Sequence, residues 1–135
     1  MITGVAGLLG SRLAQSLLAE GVTVIGVDDL SGGLVENLPQ SEDFVFARMD
    51  LNDYSALKSL FERHDVTAIY HFAAYAAEGL SPFVRRFNYM SNVVASASVI
   101  NCAIEFGCRV IFASSMAVYG SQQAPFTENM PPRPI

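Results

Sequence analysis

Charge is sparse in this sequence. Only 16% of its 135 residues are Asp, Glu, Lys or Arg, against about 25% in an ordinary soluble domain. Lysine occurs once, at Lys58. The densest basic spot is Arg85-Arg86, and the formal net charge is −5, so there is no electrostatic footprint for nucleic acid. Cysteine is scarce too. Cys102 and Cys108 stand six positions apart, which is neither a metal-ligand spacing nor a disulfide framework. No metal site is expected, and free thiols in a reducing cytoplasm are the expected state. No stretch reaches the ~18 uninterrupted apolar residues of a membrane span. The N-terminus carries no basic segment, so no secretory leader is expected.

Apolar residues make up 51% of the chain, enough for a core of one domain. A low charge fraction with a high apolar one suits a sheet covered on both faces, whose strands read as nearly continuous apolar runs. It also suits a piece of a larger protein with surface to be covered elsewhere. Met1-Ile2-Thr3 reads as a strand end, and Gly4 to Gly10 as a glycine-punctuated turn. Leu9, Leu13, Leu17 and Leu18 follow at helical spacing until Gly21. Val22 to Val27 is a β-branched strand, Ser31-Gly32-Gly33 opens a loop, and Phe44 to Ala47 is a third strand. Asp53 is placed to cap a helix through Arg63. Val66 to Phe72 is a fourth strand, Pro82 to Phe106 a long helix ended by Gly107, and Arg109 to Ala113 a fifth strand. From Gly120 onward the chain is polar and proline-rich loop. Strand and helix alternate throughout, which predicts an α/β fold: a Rossmann-type doubly wound parallel sheet with right-handed crossovers.

The turn between the first strand and first helix, Gly4-Val5-Ala6-Gly7-Leu8-Leu9-Gly10, has the residues that a bound diphosphate requires. Glycine permits the tight turn, lets backbone approach a phosphate, and lets the helix pack on the strand. The diphosphate then meets unpaired N–H groups at a helix N-terminus. Three glycines alone also suit a plain βα turn. The second strand ends in Asp28, 18 residues after Gly10, where a carboxylate is expected to bond the ribose hydroxyls of NAD and to repel the 2′-phosphate of NADP. NAD is therefore the expected cofactor. Asp29 is adjacent and either shares this role or caps the loop.

The spacing is GxxGxxG, and the chain resembles the extended short-chain dehydrogenase/reductases of the NAD-dependent epimerase/dehydratase kind. Thr3 to Gly10 is similar to the family's TGxxGxxG, Val27-Asp28-Asp29-Leu30-Ser31 to its second-strand end, and Met49-Asp50-Leu51 to its adenine-contacting segment. His71 to Ala76 is similar to its H-x-A-A segment, Tyr89 to Val93 to its helical Asn, and Phe112 to Gly120 to its S-S-x-x-V-Y-G. Six motifs occur in order, and within the family they resemble most the UDP-glucose 4-epimerases and their relatives.

That resemblance implies roles residue by residue. Gly4, Gly7 and Gly10 shape the turn, and Leu8 and Leu9 donate backbone N–H groups to the pyrophosphate. Asp28, Asp29, Leu30, Ser31, Gly32 and Gly33 wrap the adenosine ribose, while Asp50 and Leu51 hold the adenine edge. Phe72, Ala73, Ala74, Tyr75 and Ala76 pass under the nicotinamide ribose and pyrophosphate, with Asn92 near the cofactor. Ser115 is the implied catalytic hydroxyl. Its residue type alone leaves a second reading open, a strand-end hydroxyl capping its own backbone. His71 reads as a packed strand-end residue rather than a proton shuttle. Tyr119 and Glu128 stand where the family has loop residues flanking the substrate.

The family also uses a Tyr-x-x-x-Lys pair after the serine, the tyrosine needing help because its ordinary pKa is about 10. Tyr54 and Lys58 have that spacing, but they precede Ser115 and read as a surface helix pair. The expectation is thus an NAD-binding domain over residues 1–135, clipped at both ends, with the catalytic pair and substrate domain absent and no activity alone. Its fifth strand would be an apolar sheet edge. The implied function is the NAD-binding portion of a nucleotide-sugar 4-epimerase in the cytoplasm. A UDP-sugar is the implied substrate, and homodimerisation would use the long helix. A dehydratase or reductase of the same family is the first alternative, although Met116 and Ala117 stand where its dehydratases carry Asp-Glu. A non-catalytic NAD-binding regulatory module is the second.

Overall fold

The computed structural model describes residues 1–77 and 79–135. Five parallel strands form one sheet in the order β3-β2-β1-β4-β5. They are β1 (Ile2–Thr3), β2 (Val24–Asp28), β3 (Phe44–Arg48), β4 (Ala68–His71) and β5 (Arg109–Phe112). The Rossmann-type sheet expected from the alternating pattern is present, with β1 at its centre and β5 at one edge. β1 has only two residues, but both are fully buried. Ile2 pairs with Gly26 and Tyr70, and Thr3 with Val27 and His71.

Alternation along the strands sorts the apolar residues onto two faces. On one face Ile2, Val5 and Val24 pack with Ala14, Leu13 and Leu17 of α1 (Leu8–Ala19). On the other, Ile25, Val27 and Ile69 pack against α2 (Tyr54–Arg63) and against the later helix through Val99, Cys102 and Ala103. Asp53 caps α2 as its position suggested, its carboxylate accepting from the Ala56 amide at 3.0 Å. Tyr54 and Lys58 lie on this helix. Lys58 Nζ reaches Glu105 Oε1 at 2.5 Å.

The helix expected from Pro82 begins at Arg85. Residues 80–84 make single turns instead, Phe83 N–H bonding to Leu80 and Val84 N–H to Ser81. Val84 then leaves helical geometry at φ −121°, ψ 39°, so the turn that Pro82 opens does not propagate. The helix proper has three parts: α3 (Arg85–Tyr89), a π-helical turn (Met90–Val94) and α4 (Ala95–Phe106), with Gly107 ending it as expected. Two short 3₁₀ turns, Val35–Asn37 and Met116–Tyr119, were not foreseen. No helix among the described residues is long and apolar enough to cross a membrane.

Candidate dinucleotide site

The carboxyl ends of β1, β2 and β4 open onto one cavity of about 520 Å³, within the roughly 300–1,000 Å³ usual for ligand pockets. Its roof is the glycine turn. Gly4 has φ +68°, a left-handed conformation open to glycine, and its amide donates to Val27 O at 2.8 Å. A Cβ on Gly10 would collide with the Gly4 carbonyl oxygen and stand 2.7 Å from Val5 Cα, so α1 rests directly on the turn. The first helical amides, Leu8, Leu9 and Gly10, have no carbonyl one turn earlier to accept them. Gly7, the N-cap, offers no side chain. Amide donors and the positive end of the helix dipole are thus left for an anion.

Asp28 fixes the adjoining wall. Its Oδ2 accepts from the Ala6 amide at 2.9 Å and its Oδ1 from the Leu30 amide at 2.8 Å. Each oxygen keeps a second acceptor position for a sugar hydroxyl. Leu30 is held at φ +64°, and the chain then closes an Asx turn, Asp29 Oδ1 accepting from the Ser31 amide at 2.8 Å and its hydroxyl at 2.6 Å. The loop folds back over the glycine turn. Ala6 O accepts from Leu34 N at 3.2 Å and from Asn37 Nδ2 at 2.8 Å.

The residues proposed from sequence fall into two groups. Gly4, Gly7, Asp28, Asp29, Ser31, Gly32 and Gly33 line the cavity. So do Asp50, Leu51, Phe72, Ala73, Ala74 and Tyr75. Asp50 Oδ1 accepts from the backbone and side-chain amides of Asn52 at 2.9 and 2.8 Å, which turns the segment after β3 toward the pocket. The others are not in the wall. Leu8 and Leu9 are exposed at the helix start, where only their backbone faces the site's chemistry. Gly10 is buried under the turn, Leu30 shapes the loop, and Ala76 is exposed beyond the floor. Asn92 acts one step back, its Oδ1 accepting from Tyr75 N at 2.6 Å and its Nδ2 donating to Tyr75 O at 2.9 Å.

Ser115 stands beyond β5 and outside the cavity wall, exposed. Its Oγ accepts from the Ala117 amide at 3.1 Å and caps the following 3₁₀ turn, which leaves its hydroxyl proton available. Tyr54 and Lys58 are also outside the cavity. Desolvation, with Cys102 and Glu105 nearby, raises the Tyr54 pKa above its ordinary value, while Lys58 is raised by its bond to Glu105. The raised Tyr54 pKa opposes a phenol activated for proton transfer, and the Lys58 ammonium is committed to Glu105. No grouping of metal ligands exists among the described residues.

Sequence reasoning missed Phe87, Met90 and Ser91, which close the cavity from the helix, together with Met49 and Asn52 beside Asp50 and Leu51. Phe87 meets Tyr75 edge-on at 5.0 Å. Met49, Met90 and Ser91 lie inside the Met49–Leu51 and Tyr89–Val93 segments without a role of their own, and no motif marks Phe87 or Asn52. For Met90 and Ser91 the signal available was adjacency to Asn92; the π-helical turn that carries them, a feature frequent at functional sites, is visible only in the fold.

The 3-2-1-4-5 parallel sheet, glycine turn and acidic strand end define a Rossmann-type dinucleotide-binding fold. The chain belongs to the NAD dependent epimerase/dehydratase family, which it matches over residues 1–135. It is 33% identical over 143 aligned residues to a UDP-glucuronate 4-epimerase of Thermodesulfobacterium geofontis, covering 96% of this chain and 43% of that one. Its structure is similar to a Thermus thermophilus UDP-glucose 4-epimerase in complex with NAD, with a TM-score of 0.90 at 31% identity over 98% of this chain and 43% of that one. A Thermotoga maritima UDP-glucose 4-epimerase with UDP-glucose gives a TM-score of 0.90 at 30% identity, over 99% and 44%. The chain thus spans less than half the length of these relatives.

Proposed function

We propose that this chain binds NAD and serves as the cofactor-binding portion of a nucleotide-sugar 4-epimerase. The observation that carries the reading is the single cavity that joins the glycine turn, the Asp28 carboxylate and the 72–75 floor. The donor set fits the dinucleotide. Leu8 and Leu9 amides meet the diphosphate, and Gly4, Gly7 and Gly10 give it room. Asp28, with Asp29 and the Leu30 to Gly33 loop, takes the adenosine ribose. Asp50 and Leu51 take the adenine. Phe72 to Ala76 carry the nicotinamide half, with Asn92 holding Tyr75 in place.

NAD, when bound, accepts and returns the hydride that a reversible oxidation at sugar C4 requires. The chain's own part is binding and orientation. Ser115 is the residue proposed to hold the reacting sugar hydroxyl, a reading supported by an Oγ that accepts from Ala117 and keeps its own proton to donate. A UDP-sugar is the proposed substrate, supported by the relatives' names and by UDP-glucose in one of them. The whole activity rests on length that those relatives have beyond the aligned region. That region is the proposed source of the substrate domain and proton-transfer pair, and this chain alone is proposed to be inactive. The same reading places the protein in the cytoplasm, with the long helix as its self-association surface.

Calorimetric titration of the chain with NAD and with NADP tests the reading. Saturable heat with NAD and at least tenfold weaker binding of NADP are expected, about 1.4 kcal/mol of discrimination. No heat with either dinucleotide would remove the reading.

A further inference from the structure

His71 is the one buried histidine among the described residues, and the proposed chemistry does not use it. It ends β4, directly beside Thr3 of β1 in the sheet register. Its Nδ1 lies 2.6 Å from Thr3 Oγ1 and its Nε2 lies 2.9 Å from Ser96 Oγ on α4. Ser96 in turn donates to the carbonyl of Asn92 at 2.6 Å. The Ala73 amide donates to Thr3 Oγ1 at 3.2 Å.

These bonds have one consistent direction. Ser96 commits its proton to Asn92, so it can only accept from His71, which places the imidazole proton on Nε2. Nδ1 is then an acceptor, and Thr3 donates to it. Thr3 in turn accepts from Ala73. The chain of bonds runs from Ala73 through Thr3, His71 and Ser96 to Asn92, whose side chain grips both backbone groups of Tyr75. It therefore begins and ends within the same cavity floor, at Ala73 and Tyr75.

We infer that His71 is a positioning residue that closes a hydrogen-bonded circuit around residues 73–75 and fixes the height of the cavity floor beneath a bound dinucleotide. The inference rests on the cofactor reading above for what occupies the cavity. The physical basis is independent of it. A floor made of loop backbone would otherwise be free to shift, and Gly4 leaves it no slack: a Cβ there would already stand 2.7 Å from Ala73 N. Burial lowers the His71 pKa and keeps the ring in the neutral form that the bond directions require.

The test compares His71→Phe, which keeps a ring but loses both bonds, with Thr3→Val and Thr3→Ser. Two quantities are read on folded protein: the NAD dissociation constant and the hydrogen-exchange rates of the Ala73 and Tyr75 amides, with α2 amides as the internal standard. His71→Phe and Thr3→Val should each weaken NAD by about fivefold or more, the worth of one hydrogen bond. They should also speed exchange at Ala73 and Tyr75 while leaving α2 unchanged. Thr3→Ser should restore both. A merely structural loss would lower the melting temperature and speed exchange throughout. Exchange and affinity unchanged in folded variants, or exchange raised everywhere alike, would overturn the circuit. If His71→Phe does not fold, Thr3→Val decides alone. Failure of the unsubstituted chain to bind NAD would overturn the cofactor reading instead, and the exchange rates would still judge the circuit.

Discussion

Asp28 Oδ2 and the amide of Ala6 lie 2.9 Å apart, although 22 residues separate them in sequence. One carboxylate oxygen thus ties the end of β2 to the middle of the glycine turn, and its twin holds Leu30. Asp28→Asn keeps the shape but leaves one acceptor where there were two, so one of the two amides loses its partner. A loss of about 1–3 kcal/mol in stability follows, read by thermal or denaturant melting. NAD affinity should fall with it. Asp28→Arg should weaken NAD further and favour NADP, and an unchanged preference in calorimetry would remove Asp28 as the ribose contact.

Gly10→Ala is the smallest change that should break the site. The added methyl meets the Gly4 carbonyl and Val5 Cα, both backbone, so neither can swing aside. Overpacking of this kind costs about 1–3 kcal/mol. The turn must lift off α1, and NAD binding should be lost in protein that still melts cooperatively. Tight binding by the alanine variant would contradict the arrangement of turn and helix.

Stability should depend on pH through His71. Its folded-state pKa is lowered by burial, while an unfolded histidine titrates near 6.5. Below about that pH the unfolded chain binds a proton that the folded one resists. The contribution is therefore complete above pH ~6.5 and is lost as pH falls toward the folded value. Subtracting the His71→Phe stability profile from that of the parent isolates this slope from those of Met1 and Asp53, which shift as well. Parallel profiles between pH 5 and 7 would show that His71 binds its proton alike in the folded and unfolded chain, and would contradict the lowering by burial.

Ser115→Ala should act on chemistry and not on cofactor binding. Ser115 stands outside the cavity wall, so NAD affinity should stay within about twofold, less than half a kcal/mol. In a polypeptide carrying the remaining length of its relatives, turnover should fall at least about tenfold for the loss of one donor to the reacting oxygen. Full turnover would leave Ser115 only as the cap of its 3₁₀ turn.

Features set by neighbouring residues are legible in the sequence. The Asp53 cap, the Gly107 stop and the glycine turn are local, and their residue types have few other uses. The parallel, doubly wound sheet followed from strands alternating with helices, while its order β3-β2-β1-β4-β5 emerges only from the fold. Thirteen of the residues named for the cofactor do line the cavity, because their motifs sit at strand ends that the topology gathers on one side. What the sequence hid is non-local. Asn37 reads as a loop residue until the 3₁₀ turn brings its amide to Ala6. Phe87, Met90 and Ser91 read as one face of a long helix, and only the bonds from Asn92 to Tyr75 and the Phe87–Tyr75 ring contact set that face against the floor. Ser96 and Thr3 carry no mark of being partners, since His71 joins them across three separate elements.

The double grip on Ala6 has a consequence for any attempt to re-engineer the cofactor. The amide of Ala6 belongs to Asp28 and its carbonyl to Leu34 and Asn37, so the segment after β2 and the turn before α1 form one unit. Grafting a foreign 29–34 segment to change which nucleotide is accepted would cut that unit in half unless Asn37 travelled with it. The smallest exchangeable module here is the whole connection from Asp28 through Asn37.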